Sequence, residues 1–186
     1  MKVIPLYTDE TILIRKALSA NKAAQRGLYD KYAPIMLAVC RRYVRDKHYA
    51  EDVMIQGFYK VFLQLHTFRG KGSFEGWVKR IMIHEALNFI KKNRPLVFYK
   101  NLADRESFCS PNISLKADAE YLLRIIDELP MGYRFVFMLH AVEGYKHIEI
   151  AKVMQISENT SKSKLSKARK ILRKKLELQR KKSEAL

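Results

Sequence analysis

The sequence predicts an all-α protein of two small helical domains joined by a linker. Apolar residues recur at helical spacing through most of the 186 residues, and strand-like alternation is absent throughout. The period stops between Pro95 and Lys116, where prolines, asparagines and serines cluster. We therefore predict a first domain over 1–94, a linker over 95–116 and a second domain over 117–186.

Four helical patterns make up the first domain. The first begins after Thr8, an N-cap residue, and ends near Ala20, and the second runs from about Lys22 to Arg45 across Pro34, which can kink or split a helix. Asp46 and Ser73 are placed to cap the third and the fourth. The residues predicted to face inward from the second and third helices are Leu28, Tyr32, Ile35, Val39, Tyr43, Ala50, Val53, Phe58, Val61, Phe62 and Leu65.

The second domain contains a helix-turn-helix pattern. After a helix from about Ala117 to Leu129, Pro130 opens another helix at its first turn and Gly144 ends it. Phe135, Val136, Leu139 and Val142 are predicted to form its apolar stripe. A short helix, His147 to Met154, then leads to Ser157, the N-cap of the last helix.

The last helix has two faces of opposite chemistry. Leu165, Ala168 and Leu172 form an apolar stripe. The opposite face carries Asn159, Lys162, Ser163, Ser166, Lys167 and Lys170, donors of the right length for base edges and phosphates in a major groove. A solvated basic helix is the alternative interpretation, but the caps at helix-turn-helix spacing favour DNA binding.

Charge also indicates a polyanionic partner, without identifying it. The formal net charge is +17, and Lys162 to Lys182 holds 11 Lys or Arg against Glu177 alone.

The N-terminus lacks a signal-peptide pattern and no segment resembles a membrane span, so we expect a cytoplasmic protein. Cys40 and Cys109 have no partner at metal or disulfide spacing.

Two apparent motifs in the fourth helical pattern and the loop before it do not hold. The GKGS stretch lacks the Walker spacing, and HEALN has Asn88 where a zinc protease has its second histidine. No catalytic residue, metal site, cofactor or small-molecule substrate is expected. What remains is a mixture of aromatic and basic residues that suits unpaired bases, although we expect at least one of Phe74 and Trp77 to be core.

The order of these segments resembles a known family. YAPIMLAVCRRYVRDKHYAEDVMIQGFYKVFLQL, then FRGKGSFEGWVKRIMIHEALNFIKK, a linker and the helix-turn-helix are similar to sigma factors of the extracytoplasmic-function group, the minimal members of the sigma-70 family. The resemblance extends from about Leu28 to Leu176. It implies a factor that binds bacterial core RNA polymerase through the beta-prime clamp and beta flap, recognises promoter DNA, and is held inactive by an anti-sigma factor.

The resemblance also implies roles for individual residues. Asp52 and Gln56 match the segment that docks on the beta-prime clamp helices. The residues that match the minus-10 and melting regions are Phe68, Lys71, Ser73, Phe74, Arg80, His84 and Asn88. Those that match the minus-35 reader are Thr160, Lys162, Ser163, Ser166 and Lys167.

Four positions depart from the family pattern. Gly57 stands where an acidic residue is common, and Lys146 replaces a Ser or Thr cap. Gln155 stands where Gly is frequent, which predicts a positive φ, and Ser161 replaces Val. We expect a less stable helix-turn-helix with the same fold.

Two other functions compete with this interpretation. An autonomous helix-turn-helix regulator would bind an operator as a dimer, but it has no use for the stretch from Phe68 to Lys92. A non-specific DNA or RNA binder would show a steep salt dependence and little sequence preference.

Overall fold

The computed structural model describes residues 10–93 and 117–184, and over these ranges it contains helices and no strand. The chain divides into two compact units, Met1–Arg105 and Glu106–Leu186. The predicted all-α fold with two helical domains is thus confirmed. The predicted linker over 95–116 and the predicted cap Thr8 lie outside the described residues.

Within residues 10–93 the first unit contains four helices. They are α1 (Glu10–Leu18), α2 (Lys22–Tyr43), α3 (Lys47–Gln64) and α4 (Phe74–Lys92), with a short 3₁₀ turn at Leu65–Thr67 after α3. Side-chain oxygens of Asn21, Asp46 and Ser73 accept backbone N–H groups at the starts of α2, α3 and α4, at 2.9, 3.0 and 3.1 Å. The caps predicted at Asp46 and Ser73 are therefore confirmed.

The inward face of α2 differs from the prediction at one position. The helix continues through Pro34, and Leu28, Tyr32, Val39 and Tyr43 are buried as predicted. Ile35 is 44% exposed, however, and Met36 is buried instead. Different neighbours cover successive parts of α2, so its buried face is broader and shifts along the helix.

α3 and α4 approach each other closely at Gly57. This glycine is buried, and a Cβ atom there would lie 2.2 Å from the sulfur of Met82. The position that departs from the family pattern therefore faces the core, and the absence of a side chain there leaves the space that the end of the Met82 side chain occupies. Lys60 and Glu85 also join α3 to α4, with 2.7 Å between Nζ and Oε1.

The second unit contains α5 (Ala117–Asp127), α6 (Met131–Phe137), α7 (His147–Met154) and α8 (Glu158–Glu184). α6 and α7 pack on α8, and the Tyr121 hydroxyl of α5 donates to the Lys175 carbonyl at 3.2 Å. Pro130 is the N-cap of α6, and Gly144 has the left-handed φ of 74° predicted for the end of that helical segment. The predicted bounds of α7 are confirmed.

A π-helical turn, Met138–Val142, follows α6 and corrects the predicted stripe. Phe135, Val136 and Leu139 are buried, whereas Val142 is 48% exposed. A π turn holds one more residue than an α turn, so residues after it rotate away from the original face. The interpretation that placed Val142 in the core was therefore wrong.

Candidate nucleic-acid interface

α7 and α8 meet in a tight turn that fixes the start of α8, the candidate DNA-binding helix of the second unit. Gln155 adopts the left-handed conformation, with φ 55° and ψ 49°, as predicted for a position where the family favours glycine. The Ser157 hydroxyl accepts the Thr160 N–H at 3.0 Å and caps α8. In place of a Ser or Thr cap, α7 has the Glu149 carboxylate, which accepts the Lys146 N–H at 2.8 Å.

The two faces of α8 have the predicted exposure. Leu165, Ala168 and Leu172 are buried, which confirms the inner stripe. The exposed minus-35 candidates are Lys162, Ser163, Ser166 and Lys167, while Thr160 is half-buried. The other two candidate sets belong to the first unit, one on α3 and one on α4 with the loop before it.

Several donors on the outer face of α8 have partners within the helix. The Lys162 ammonium lies 2.7 Å from Glu158, whose pKa is lowered by that hydrogen bond. Thr160 Oγ1 lies 2.8 Å from Ser157 Oγ, and the Ser163 hydroxyl donates to the Thr160 carbonyl at 3.0 Å. These are exposed contacts that a base edge or phosphate can exchange at small cost, because exposed ion pairs are weak.

Ser161 forms a hydrogen bond with His147 in the core of the second unit. It is fully buried, and its hydroxyl lies 2.9 Å from Nδ1 of His147. His147 stacks on His140, with ring centroids 4.6 Å apart, and His140 Nδ1 lies 2.9 Å from the Tyr145 carbonyl. The polar residue that replaces valine therefore has a hydrogen-bond partner, which limits its cost.

α4, in the first unit, presents another candidate DNA-binding face. Arg80, His84 and Asn88 are exposed and lie four residues apart along one side of the helix. Partial burial of its ring lowers the pKa of His84, and Arg80 and Lys91 lower it further against the opposite effect of Glu85. Trp77 shares this side by helical spacing but was missing from the predicted set.

Three aromatic rings support the loop before α4. Phe74 is 2% exposed, so it belongs to the core in this structure and offers no face to a base. Its centroid lies 5.2 Å from that of Phe68 and 5.7 Å from that of Trp77, and both of these residues are half-buried. Phe68 and Trp77 are therefore the rings that stacking can use.

The loop 68–73 exposes two basic residues, Arg69 and Lys71, on a glycine framework. Gly70 and Gly72 have φ of 68° and 92°, and no atom lies within 4 Å of a Cβ built at either position. Lys71 between them is exposed, and the Ser73 hydroxyl caps α4 through the Gly76 N–H. Ser73 therefore holds the start of the helix, whatever else it contacts.

α3 carries an exposed apolar stripe beside the predicted polymerase contacts. Asp52 and Gln56 are exposed, and Ile55, Tyr59 and Leu63 are 53%, 63% and 56% exposed. The last three lie four residues apart and line one side of α3. The predicted set omitted them, although their spacing was visible in the sequence. An apolar stripe with a polar rim is typical of a protein-binding surface.

Within the described ranges the structure has neither a helix that could span a membrane nor a metal-binding cluster. None of the helices combines the length and apolar character needed to cross a membrane. No group of three or more His, Cys, Asp or Glu residues there is arranged to hold a metal ion.

Known proteins match both units. Family models for Sigma-70 region 2 and Sigma-70, region 4 match residues 28–95 and 119–172. The RNA polymerase sigma-H factor of Pseudomonas aeruginosa is 29% identical over 89% of this chain and 92% of its own length. The ECF RNA polymerase sigma factor SigX of Bacillus subtilis is 28% identical over 82% and 84%.

A solved structure shares the fold. It contains the sigma factor RpoE in complex with the anti-sigma factor NepR from Bartonella quintana. The TM-score is 0.57 at 18% identity, over 82% of this chain and 96% of that chain.

Proposed function

The chain belongs to the extracytoplasmic-function group of the sigma-70 family of RNA polymerase sigma factors, and we propose that it directs core polymerase to promoters through three separate surfaces. One surface reads the minus-35 element, one opens and reads the minus-10 element, and one docks on polymerase. Polymerase supplies the chemistry, so the factor needs no catalytic residue of its own. We place this activity in the cytoplasm, together with polymerase and the chromosome.

The outer face of α8 carries the minus-35 proposal. It offers ammonium and hydroxyl donors on the exposed side of a helix whose opposite side is buried in a helix-turn-helix core. Lys162 and Lys167 have the reach for base edges or phosphates, and the shorter Ser163 and Ser166 suit contacts close to the helix. This arrangement of faces is the observation that best supports the proposed function.

The α4 face and the loop before it support the minus-10 proposal. Arg80, His84 and Asn88 offer charge and hydrogen bonds along one side of α4, while Phe68 and Trp77 offer partly exposed rings. Unpaired bases stack on aromatic side chains at about 1–3 kcal/mol per base, and neighbouring cations hold the backbone. Lys71, which is exposed in the loop, is proposed to contact a phosphate of the opened strand.

The exposed stripe on α3 supports docking on the beta-prime clamp. Ile55, Tyr59 and Leu63 supply apolar area, and Asp52 and Gln56 supply the polar rim. We further propose a beta-flap contact by the second unit and regulation by an anti-sigma factor, since the solved relative was captured with one. Holding both units on polymerase raises the effective concentration of each for its DNA element.

A transcription assay tests the proposal as a whole. Purified bacterial core polymerase is given fragmented genomic DNA from the source organism, with and without this protein. We expect discrete new transcripts whose start sites share two upstream elements. Absence of transcripts, together with a specific DNA fragment shifted by the protein alone, would instead establish the autonomous regulator.

Two charge variants then test the assigned surfaces. Asp52→Lys should abolish co-purification with core polymerase, while Asp30→Lys, an exposed carboxylate on α2, should leave it intact. Lys162→Ala with Lys167→Ala should weaken promoter use without loss of helical signal. The pair Lys16→Ala and Lys22→Ala makes the same charge change away from α8 and should have little effect. Equal losses in test and control variants would reject these assignments.

A further inference from the structure

α1 lies before the first residue matched by the sigma-70 region 2 model, Leu28, yet it is built into the first unit. Leu13 on its inner side is buried, with its Cδ2 atom 3.3 Å from where a Cβ of Gly27 would stand. The Gln25 side chain donates to the Ala17 carbonyl at 3.5 Å. α1 is therefore fixed against the N-terminal half of α2.

Glu10, at the start of α1, holds the hydroxyl of a buried tyrosine. The Tyr32 hydroxyl donates a short hydrogen bond to the Glu10 carboxylate, which also pairs with Lys31 at 2.6 Å. Tyr32 is 3% exposed, and its burial, reinforced by Glu10, raises the pKa of the phenol to about 12. The phenol therefore stays protonated and remains the donor.

The ring of Tyr32 continues this contact into the aromatic cluster. Its centroid lies 5.6 Å from that of Phe74, which in turn packs on Phe68 and Trp77. Phe68 is the first residue of the loop 68–73, and the glycines of that loop have open space around them. The rings are thus the side-chain anchor of the loop, and Glu10 holds the ring beneath them.

We infer that Glu10 and Tyr32 are positioning residues for promoter opening: the hydrogen bond between α1 and α2 sets the aromatic support on which the loop 68–73 and Trp77 meet the opened strand. This inference rests on the proposed function of that loop. It makes α1 part of the opening apparatus although no residue of α1 need touch DNA.

Two variants separate the hydrogen bond from the bulk of the side chains. Tyr32→Phe keeps the ring and removes the hydroxyl, and Glu10→Gln keeps the shape and removes the charge. Lys31→Gln is the matched control, because it removes the exposed ion pair with Glu10 and leaves the Tyr32 hydrogen bond. If Tyr32→Phe lowers the helical signal, its defect reflects a loss of fold and not the hydrogen bond alone. Glu10→Gln, at the half-exposed end of the contact, then tests the inference.

Fluorescence gives the first measurement, on the full chain alone. Trp77 is the single tryptophan of the protein, so its emission and its quenching by acrylamide report on the cluster directly. We expect greater quenching in Tyr32→Phe and Glu10→Gln than in wild type, and unchanged quenching in Lys31→Gln. Wild-type quenching in both test variants overturns the inference.

Promoter opening gives the second measurement, with core polymerase and a promoter recovered in the transcription assay. Permanganate reactivity of unpaired thymines should appear about tenfold more slowly in Tyr32→Phe, as expected for losing one charge-assisted hydrogen bond, and should be slowed by a smaller factor in Glu10→Gln, whose amide oxygen still accepts from Tyr32. Polymerase affinity should be unchanged, and a template with a pre-opened bubble should restore the wild-type rate.

The outcomes separate this inference from the proposed function. Slow initiation that persists on the pre-opened template, or that accompanies lost polymerase affinity, indicates a merely structural contact and overturns the inference. Variants that open the promoter at the wild-type rate overturn it as well and leave the proposed function standing. A wild-type protein that opens no promoter with polymerase overturns both.

Discussion

The two units hold their proposed DNA-facing helices by different means. In the first unit α4 packs through its own buried apolar side chains, among them Phe74 and Met82, and Met82 lies against Gly57 of α3. Within the described ranges the buried polar or charged residues, Arg134 and Ser161, both belong to the second unit. There α8 adds to its apolar stripe a buried hydrogen bond between Ser161 and His147 and the left-handed turn at Gln155. The first unit should therefore be the more sensitive to side-chain volume, and the second the more sensitive to the loss of a buried hydrogen bond.

Removing the central ring of the first unit should have the largest effect. Phe74→Ala takes a buried ring out of contact with Tyr32, Phe68 and Trp77, and we expect unfolding of the first unit to become easier by about 3–5 kcal/mol. Denaturant titration followed by Trp77 fluorescence measures it. Phe68→Ala, at a half-buried position, should cost clearly less. Equal costs would mean that the two rings share one environment in solution.

Filling the contact between α3 and α4 should have the next largest effect. Gly57→Ala puts a methyl group against the Met82 sulfur, and we expect a loss of about 1–3 kcal/mol, although alanine is the better helix residue. In a Met82→Ala background the same substitution should cost little, because the space is then free. A double-mutant cycle measures this coupling, and zero coupling would contradict the close contact.

Placing glycine at the two positions with a left-handed backbone should have a smaller effect, and it allows a direct comparison of the two units. Gln155 in the second unit and Ala20 in the first both have positive φ, 55° and 56°. Gln155→Gly and Ala20→Gly should each raise the free energy of unfolding of their own unit, by about 1 kcal/mol or less. Thermal denaturation of the variants checks this. Destabilisation by either glycine would show that the turn relaxes in solution.

Acidification should have the smallest effect, and in the second unit it should act through His147. His84, whose pKa is also lowered by burial, gives the first unit a dependence of the same sign. Burial of the His147 ring, helped by His140, Lys162 and Arg169 and opposed by Glu158, lowers the His147 pKa below 6.5. The folded state then binds fewer protons than the unfolded state, so stability falls as pH drops from 6.5 towards the folded pKa. Denaturation midpoints on either side of pH 6.5 measure it. His147→Gln should flatten the dependence, and an unchanged slope would assign it to another group.

Local chemistry made much of the fold predictable. The caps at Asp46, Ser73 and Ser157 and the left-handed Gln155 each depend on residues within one turn, which the sequence places together. The π turn after α6 was not predictable in this way. The exposure of Val142 depends on the backbone conformation of several residues, and regular helical spacing in the sequence does not reveal an extra residue in one turn.

The candidate surfaces were predictable in part. Helical spacing separated the two faces of α8 because one is apolar and the other basic. It could not separate the exposed stripe of Ile55, Tyr59 and Leu63 from core, since both are apolar at the same period and only neighbouring helices distinguish them. The contact between Glu10 and Tyr32 joins two helices, and nothing in either segment alone indicates it. The roles of the individual site residues remain predictions.

The glycine at position 57 gives the first unit a further property. The side of α3 proposed to meet polymerase and the side of α4 proposed to meet DNA belong to two helices that touch at this buried point. A larger residue there would displace the buried Met82 side chain and disturb the packing of α4 on α3, so the factor would still bind polymerase while its proposed minus-10 face was misplaced. Promoter alignment would then depend on the absence of a side chain at Gly57, a buried residue that contacts neither polymerase nor DNA.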